Sequence, residues 1–374
     1  MSATLFIFIV SSLPLLGLIL YPIFSRVRAW LYPRPVKLNT NYAPPVSILI
    51  SCYNEERYIT ERIEALLDPQ EWIPGSEILI TSTGSTDQTN ALLQSYADRE
   101  EIRLFFEPKI TKIEALNSMV PLTKHDILIF SDCRQYMRPG SIKALLSNLH
   151  DPEVGTVNCT ILDTEQRPSF FRRMYLNLAL NDSKSGSTFN LYGALYAQRK
   201  SVFRPIPEHL LFDDFFVATS TLAQGKRLVQ EENAVLHDIP FTEYYHSERL
   251  ERLARGLLIF LFRNNGLIKQ LPPVTRMRFI IYKYFKLLLP VCLLVQATAL
   301  CVLCSSYPPF FMGMVITLLI LILLLFLPVF RHNICLIFRM QYSFFSAIIG
   351  YLFLNRRSKH WEPLTIRRRW FRLE

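Results

Sequence analysis

An α/β fold with a mostly parallel sheet, flanked by membrane-spanning helices, is predicted by three observations. Short apolar strands alternate with amphipathic helices between about residues 44 and 273. Long uncharged runs lie on either side of that region. Half of the 374 residues are hydrophobic, too many for a disordered chain and enough for a sizeable core.

The first run, Thr4 to Phe24, contains no charge, reaches the roughly 20 residues a bilayer requires, and is followed by Arg26, Arg28, Arg34 and Lys37. It reads as an uncleaved span. A signal peptide would carry positive charge before the apolar run and a small-residue cleavage site after it, and neither is present. Two further runs, Phe279 to Cys304 and Phe310 to Phe330, are separated by the turn SSYPP. Ile334 to Leu354 carries Arg339 and Gln341 mid-segment, which is costly in lipid, and reads as an interfacial or re-entrant helix.

Basic residues follow the first run, precede the second (Arg276, Arg278) and crowd the C-terminal end (Arg356, Arg357, Lys359, Arg367, Arg368, Arg369). Three spans place all of them on the cytoplasmic side, whereas a fourth would put the tail outside. The predicted organisation is a transmembrane helix over 1–25, a soluble domain over 44–273, transmembrane and interfacial helices over 279–354, and a basic cytoplasmic tail over 355–374. The formal charge of +10 therefore points to a lipid bilayer as partner and not to nucleic acid. The seven cysteines form no framework. Cys301 and Cys304 make a CxxC in an apolar helix without a second pair, and Cys52 and Cys159 read as small buried residues.

Within the soluble domain a strand over Val46 to Cys52 leads to Asn54 as a helix cap, acids Glu55 and Glu56, and apolar Ile59, Ile63, Leu66 and Leu67 at helical spacing. Glu77 to Thr81 is the second strand, with Ser85 and Gln88 in capping-box spacing before the next helix. Ile102 to Phe106 and Asp126 to Phe130 are further strands, with a short helix over Ile113 to Met119 between them. A parallel sheet binds ligands at the carboxyl ends of its strands, which puts Asp132 at the ligand edge. GxGxxG, the GxxxxGK phosphate loop and internal repeats are all missing.

Six blocks stand in order: PPVSILISCYNEE, ITSTGSTDQT, KIEALN, ILIFSDCRQ, FDDFFVATSTLAQGKRL and ERLERLARG. Together they resemble the membrane-bound family 2 glycosyltransferases, in their cellulose/hyaluronan-synthase-like branch, whose catalytic domain has the GT-A fold and uses nucleotide-diphospho-sugars. The resemblance covers about residues 44 to 270, and WEPLTIRR is similar to a tail found in such proteins. Inverting glycosyl transfer needs a charge sink for the leaving diphosphate, a base for the attacking hydroxyl and a hold on the nucleotide.

The resemblance assigns these tasks to particular residues. The turn containing Ser51, Tyr53 and Glu55 approaches the nucleotide, although helix capping explains its acid equally well. Ser82 and Thr83 stand where the family usually has acids, one of which contacts the base; Thr83 is carried as a donor-site residue. Asp87 is also explained as a first-turn helix acid. Lys112 and Asn117 match the family's lysine and asparagine, the lysine neutralising diphosphate charge.

SDCRQ occupies the place of the family's Asp-x-Asp metal motif, so Asp132 is the first carboxylate and Arg134 replaces the second. A guanidinium cannot ligate Mg²⁺ or Mn²⁺. Either the divalent cation is held by Asp132, the diphosphate and a late histidine, for which His237 is the candidate, or Arg134 itself faces phosphate. Packing also explains His237, and Cys133 is expected to turn into the core.

In FDDFF, Asp214 matches the general base and Asp213 its acidic neighbour on the acceptor side, at the start of a helix that Gly225 closes. Arg255 matches the arginine of the processive synthases' Gln-x-x-Arg-Trp and is expected on the diphosphate, whereas Arg252 and Gly256 replace the glutamine and tryptophan. Gly193 fits a segment near the acceptor, where a small residue permits close approach.

The resemblance thus implies an inverting glycosyltransferase that moves a sugar from a nucleotide-diphospho-sugar to a lipid-linked or growing saccharide acceptor. The expected place is the cytoplasmic face of a bacterial inner membrane, in polysaccharide or glycolipid synthesis, with other polysaccharide-assembly proteins as further candidate partners. The alternative is a degenerate member that binds nucleotide-sugar or a synthase partner without catalysis. A transporter is disfavoured, because no pair of interrupted helices is visible.

Overall fold

The computed structural model describes residues 2–163, 170–238, 243–306 and 328–352, with scattered positions between 311 and 323. A long helix, α1 (Ser2–Leu31), leads into a soluble domain whose first half alternates strand and helix as expected. Its elements are β1 (Ser47–Cys52), α2 (Ile59–Leu67), β2 (Glu77–Thr83), α3 (Thr89–Gln94), β3 (Ile102–Glu107), α4 (Lys112–Met119) and β4 (Ile127–Ser131). The second half adds β5 (Tyr136–Met137), α5 (Ser141–Leu149), β6 (Val154–Asp163), α6 (Phe170–Lys184), β7 (Leu195–Arg199), α7 (Asp213–Ala223) and β8 (Arg227–Asp238).

All eight strands join one sheet in the order β3-β2-β1-β4-β7-β6-β8-β5. β3, β2, β1 and β4 run parallel, while β7 pairs antiparallel with β4 and with β6. β8 then lies parallel to β6 and antiparallel to β5. Period-2 alternation divides the core between the two faces. Leu49, Leu79, Leu128 and Phe130 pack on one side with α4 and α7, and Ile48, Ile50, Ile78 and Ile80 on the other with α2 and α5. Both faces of β1 and β2 are covered, which is why these strands read as near-continuous apolar runs.

Two predicted caps are corrected. Asn54 does not cap α2, which starts at Ile59; its φ is +54° and its Oδ1 accepts from Thr86 N at 2.8 Å, so it ties two loops together. Ser85 and Gln88 form no capping box, since the Ser85 hydroxyl is taken by Asn54 N and by Ser82. The capping box present here is Thr111 with Glu114, at the start of α4.

Beyond the sheet, α8 (Glu243–Arg263) and α9 (Asn265–Lys269) lead to α10 (Pro273–Phe279), a π turn over Ile280–Tyr284 and α11 (Phe285–Ser306). The last described helix is α12 (Pro328–Leu352). Among the described residues, three helices are long and apolar enough to cross a membrane: Ala3–Leu31, Pro273–Ser305 and Ile334–Leu352. The last includes the run read from sequence as interfacial; by length and composition it meets the same requirement as the other two. Most of Phe310 to Phe330, and the whole basic tail with WEPLTIRR, lie outside the described residues.

The first helix seats on both α6 and α11. A Cβ at Gly17 would meet the Phe285 ring at 2.7 Å, and Gln296 donates to Ser12 Oγ at 2.7 Å. Outward, Phe6, Ile9, Ile19 and Ile23 are exposed, the greasy surface a lipid-facing helix presents.

Candidate active site

The carboxyl ends of β2, β1 and β4 lie on one edge, and Ser51, Tyr53, Glu55, Thr83, Asp132 and Arg134 sit there because the chain turns out of the sheet at each end. Asp132 follows β4 directly, its N–H donating to Ala194 O at 2.8 Å, so strand pairing to β7 fixes where the carboxylate stands. Lys112, in the first turn of α4, reaches across to it. Its Nζ lies 2.9 Å from Asp132 Oδ1 and 3.4 Å from Asp213 Oδ2, and it donates to Gly193 O at 3.2 Å. The Asp213 contact is ionic without hydrogen-bond geometry, because Oδ2 has no hydrogen bond among the described residues. Burial opposes the charge on Lys112, yet Asp132 and Asp213 outweigh it and hold its pKa above the usual lysine range.

Lys112, Asp132, Asp213 and Gly193 therefore form one cluster. A Cβ at Gly193 would come within 3.3 Å of Asp213 Oδ1 and 3.6 Å of Lys112 Nζ, so the missing side chain lets the backbone approach both. Asn117 serves a different purpose. Its amide makes two 2.8 Å bonds to the backbone of Ile206, pinning the loop that delivers Asp213 and Asp214.

Asp214 lies in the first turn of α7, and its Oδ1 accepts from Phe215 N at 2.7 Å. Burial and the neighbouring Asp213 charge push its carboxyl up to about 7, against the pull of the Phe215 N–H, Lys283 and Lys112. Gly225, at φ +72°, follows α7 as predicted.

Arg134 turns back toward β1, its Nε donating to Glu55 Oε1 and Oε2 at 2.8 and 3.0 Å. Burial raises the Glu55 carboxyl to about 7 even beside that guanidinium. Ser51 and Tyr53 lie along the same end of β1, Tyr53 with Lys109 Nζ 5.8 Å from its ring centroid. Thr83 is buried and donates to Cys52 O at 3.2 Å, so its hydroxyl proton is already used within the sheet edge. Cys133 is buried, as expected of the alternate face.

Among the described residues, protein side chains alone do not provide a three-ligand cation site. Asp132 is held by Lys112, position 134 is a guanidinium directed at Glu55, and among the described residues no three His, Cys, Asp or Glu are grouped to hold a metal. His237 sits on β8 opposite Tyr136, their rings 6.1 Å apart.

Arg255 pairs with Glu251 on its own helix, and no ion pair of the described residues joins it to Asp132 or Asp213. Next to it, a Cβ at Gly256 would meet the Phe212 ring at 2.4 Å, so the volume a tryptophan would occupy is taken by the residue before Asp213. Gly256→Ala is expected to cost about 1–3 kcal/mol through overpacking and to lower turnover by shifting Phe212. Denaturation and kinetics with unchanged values would show that α8 yields freely.

One functional side chain gave no sequence signal beyond an acid-rich helix. Arg62 on α2 is 2% exposed and donates through Nη2 to the carbonyl of Gln135, buttressing the loop that carries Asp132 and Arg134.

A family model described as glycosyl transferase family 2 matches residues 47–217, which span β1 to α7 and contain the whole Lys112, Asp132 and Asp213 cluster. This stretch is a family 2 glycosyltransferase domain. The glycosyltransferase domain is 22% identical over 155 residues to an N-acetylglucosaminyltransferase of Rhizobium leguminosarum bv. viciae, covering 41% of this chain and 37% of that protein. An uncharacterized glycosyltransferase, EpsJ, of Bacillus subtilis (strain 168) is 23% identical over 232 residues, 60% of this chain and 63% of its own length. The chain thus matches less than two thirds of either relative. The mannosyltransferase PcManGT of Pyrobaculum calidifontis, solved with GDP-Man and Mn²⁺, superposes with a TM-score of 0.75 at 20% identity over 93% of this chain and 98% of its own. That likeness extends the GT-A-type fold to the glycosyltransferase domain together with its flanking helices.

Proposed function

We propose that the protein is an inverting glycosyltransferase acting at the cytoplasmic face of a membrane, moving a sugar from a nucleotide-diphospho-sugar to a lipid-linked or saccharide acceptor in polysaccharide or glycolipid synthesis. The observation that carries this reading is Asp214: a carboxyl whose pKa is raised to about 7, at the first turn of α7 and beside the Lys112 cluster. The acceptor oxygen bonds to the anomeric carbon as the bond to the diphosphate breaks. The electron pair leaves with the diphosphate, and the hydroxyl proton passes to Asp214.

Asp132 orients the donor, while Lys112 and Arg134 supply fixed positive charge to its diphosphate. Ser51, Tyr53, Glu55 and Thr83 line the nucleotide side; Gly193 and Asp213 face the acceptor. Arg255 joins the diphosphate only by leaving Glu251. Binding without catalysis would follow from Thr83 and Arg134 standing where the family has acids.

The test is a panel of nucleotide-sugars offered to detergent-purified protein with Mg²⁺, Mn²⁺ or chelator. Consumption of one donor with transfer to an acceptor is expected, and binding without turnover across acceptors would favour the non-catalytic reading. Donor binding is expected to remain measurable in chelator and to weaken about tenfold or more in Arg134→Ala, the scale of one hydrogen bond to a charged group. Complete loss of donor binding in chelator would assign the diphosphate to a metal.

A further inference from the structure

Lys283 and Lys286 are three residues apart where the π turn enters α11, so they share a face of a membrane-spanning segment. Lys283 is 5% exposed, and its Nζ lies 4.8 Å from the ring centroid of Phe215, the residue after Asp214. Lys286 Nζ lies 5.7 Å from the ring of Tyr175 and 5.8 Å from that of Phe344 on α12. The Tyr175 and Tyr282 rings, 5.8 Å apart, bridge the two lysines, with Lys283 Nζ 5.2 Å from Tyr282.

Neither ammonium forms an ion pair among the described residues, and the Tyr282 hydroxyl lies buried between Tyr175 and Asn190. Aromatic faces compensate part of each charge but accept no N–H bond in full. Unpaired lysines in a membrane segment are costly, and π turns recur at functional sites. The donor's diphosphate already has Lys112 and Arg134, so this second pair of cations is left for an anion that arrives from the bilayer. A neutral soluble saccharide would leave Lys286 without a counter-charge among the described residues and Lys283 with only Asp214, beyond ion-pair distance.

We propose that Lys283 and Lys286 bind the phosphate of a membrane-borne acceptor lipid, presenting its sugar-accepting end to Asp214. The assignment rests on the transfer reading of the Asp214 site and names its acceptor class. Ordinary phospholipid headgroups offer the same phosphate chemistry, but a site beside the catalytic base, rather than at the outer surface of α11, fits a substrate.

The experiment uses the full chain in phosphatidylcholine nanodiscs, with binding of undecaprenyl phosphate, phosphatidylglycerol and inorganic phosphate measured separately. Undecaprenyl phosphate is expected to bind at least tenfold tighter than either of the others. Affinity is expected to fall tenfold or more in the Lys283→Gln/Lys286→Gln double variant, to recover within threefold in Lys283→Arg/Lys286→Arg, and to be unchanged in the exposed control Lys184→Gln. Equal affinity in the wild type and a folded double Gln variant overturns the proposal. Preference for phosphatidylglycerol also overturns it, making the site one for bilayer lipid. Donor consumption by the wild type, measured alongside with a panel of lipid and saccharide acceptors, tests the transfer reading by itself: its absence with every donor and acceptor sinks that reading even where the lipid binds.

Discussion

Asp214→Asn is expected to reduce transfer by about 10²–10⁴-fold, the contribution of a positioned general base, with donor affinity kept within a few fold. The carboxamide has the size of the carboxylate, so Phe215 N–H keeps an oxygen to bond and the Lys112 contacts to Asp132 and Asp213 are not disturbed. What is lost is the lone pair that takes the acceptor proton. Because only the ionised form can accept it, and burial with Asp213 raises the carboxyl to about 7, kcat/KM should climb tenfold per pH unit below about 7 and level off above. Asp213→Asn removes the neighbouring negative charge and should move that limb to lower pH, even if the rate itself falls. Transfer in Asp214→Asn within threefold of wild type, or a limb that stays in place in Asp213→Asn, would remove Asp214 from the role of base.

The part of this site that could be read in the sequence is the part built from local chain direction. β1 to β4, α4 and α7 follow from apolar runs and helical spacing, and a side chain just past a parallel strand must lie at the ligand edge, so chain direction alone puts Asp132 there. Asp213 and Asp214 read locally only as acids opening a helix closed by glycine, and their site role came from the resemblance of the blocks. Pairings across the fold were not. Arg134 turning to Glu55, Arg62 supporting Gln135 and Phe212 filling the space over Gly256 join residues far apart in the chain, and residue type alone does not choose among the many partners available. Asn54 misled because its residue type favours helix caps and left-handed turns alike, and only the loop beside it decides between them. Lys283 and Lys286 were hidden inside a run whose apolar neighbours define it as a membrane segment.

The buried pair Asp182 with Arg278 makes the largest stability prediction, and burial explains why its two halves behave differently from the whole. Arg278 Nη2 lies 2.6 Å from Asp182 Oδ1, both side chains about 97% or more buried, and Ser25 and Tyr21 of α1 donate to the same carboxylate at 2.6 and 3.0 Å. α1, α6 and α10 thus meet at one charge. Asp182→Ala strands the Arg278 guanidinium and two α1 hydroxyls at once, and is expected to cost about 3–5 kcal/mol. Burial pushes the Asp182 carboxyl up in spite of Arg278, and a buried ion pair is often replaced by apolar residues of similar volume at little cost. It follows that Asp182→Leu combined with Arg278→Met should be far milder than Asp182→Ala, near neutral or stabilising. Denaturation of the three proteins in one detergent separates these cases. A double variant as unstable as the single one would mean that the network holds α1 against the glycosyltransferase domain by net energy; the expected recovery would mean that it selects how the first helix docks, because any misplacement leaves a buried charge unpaired.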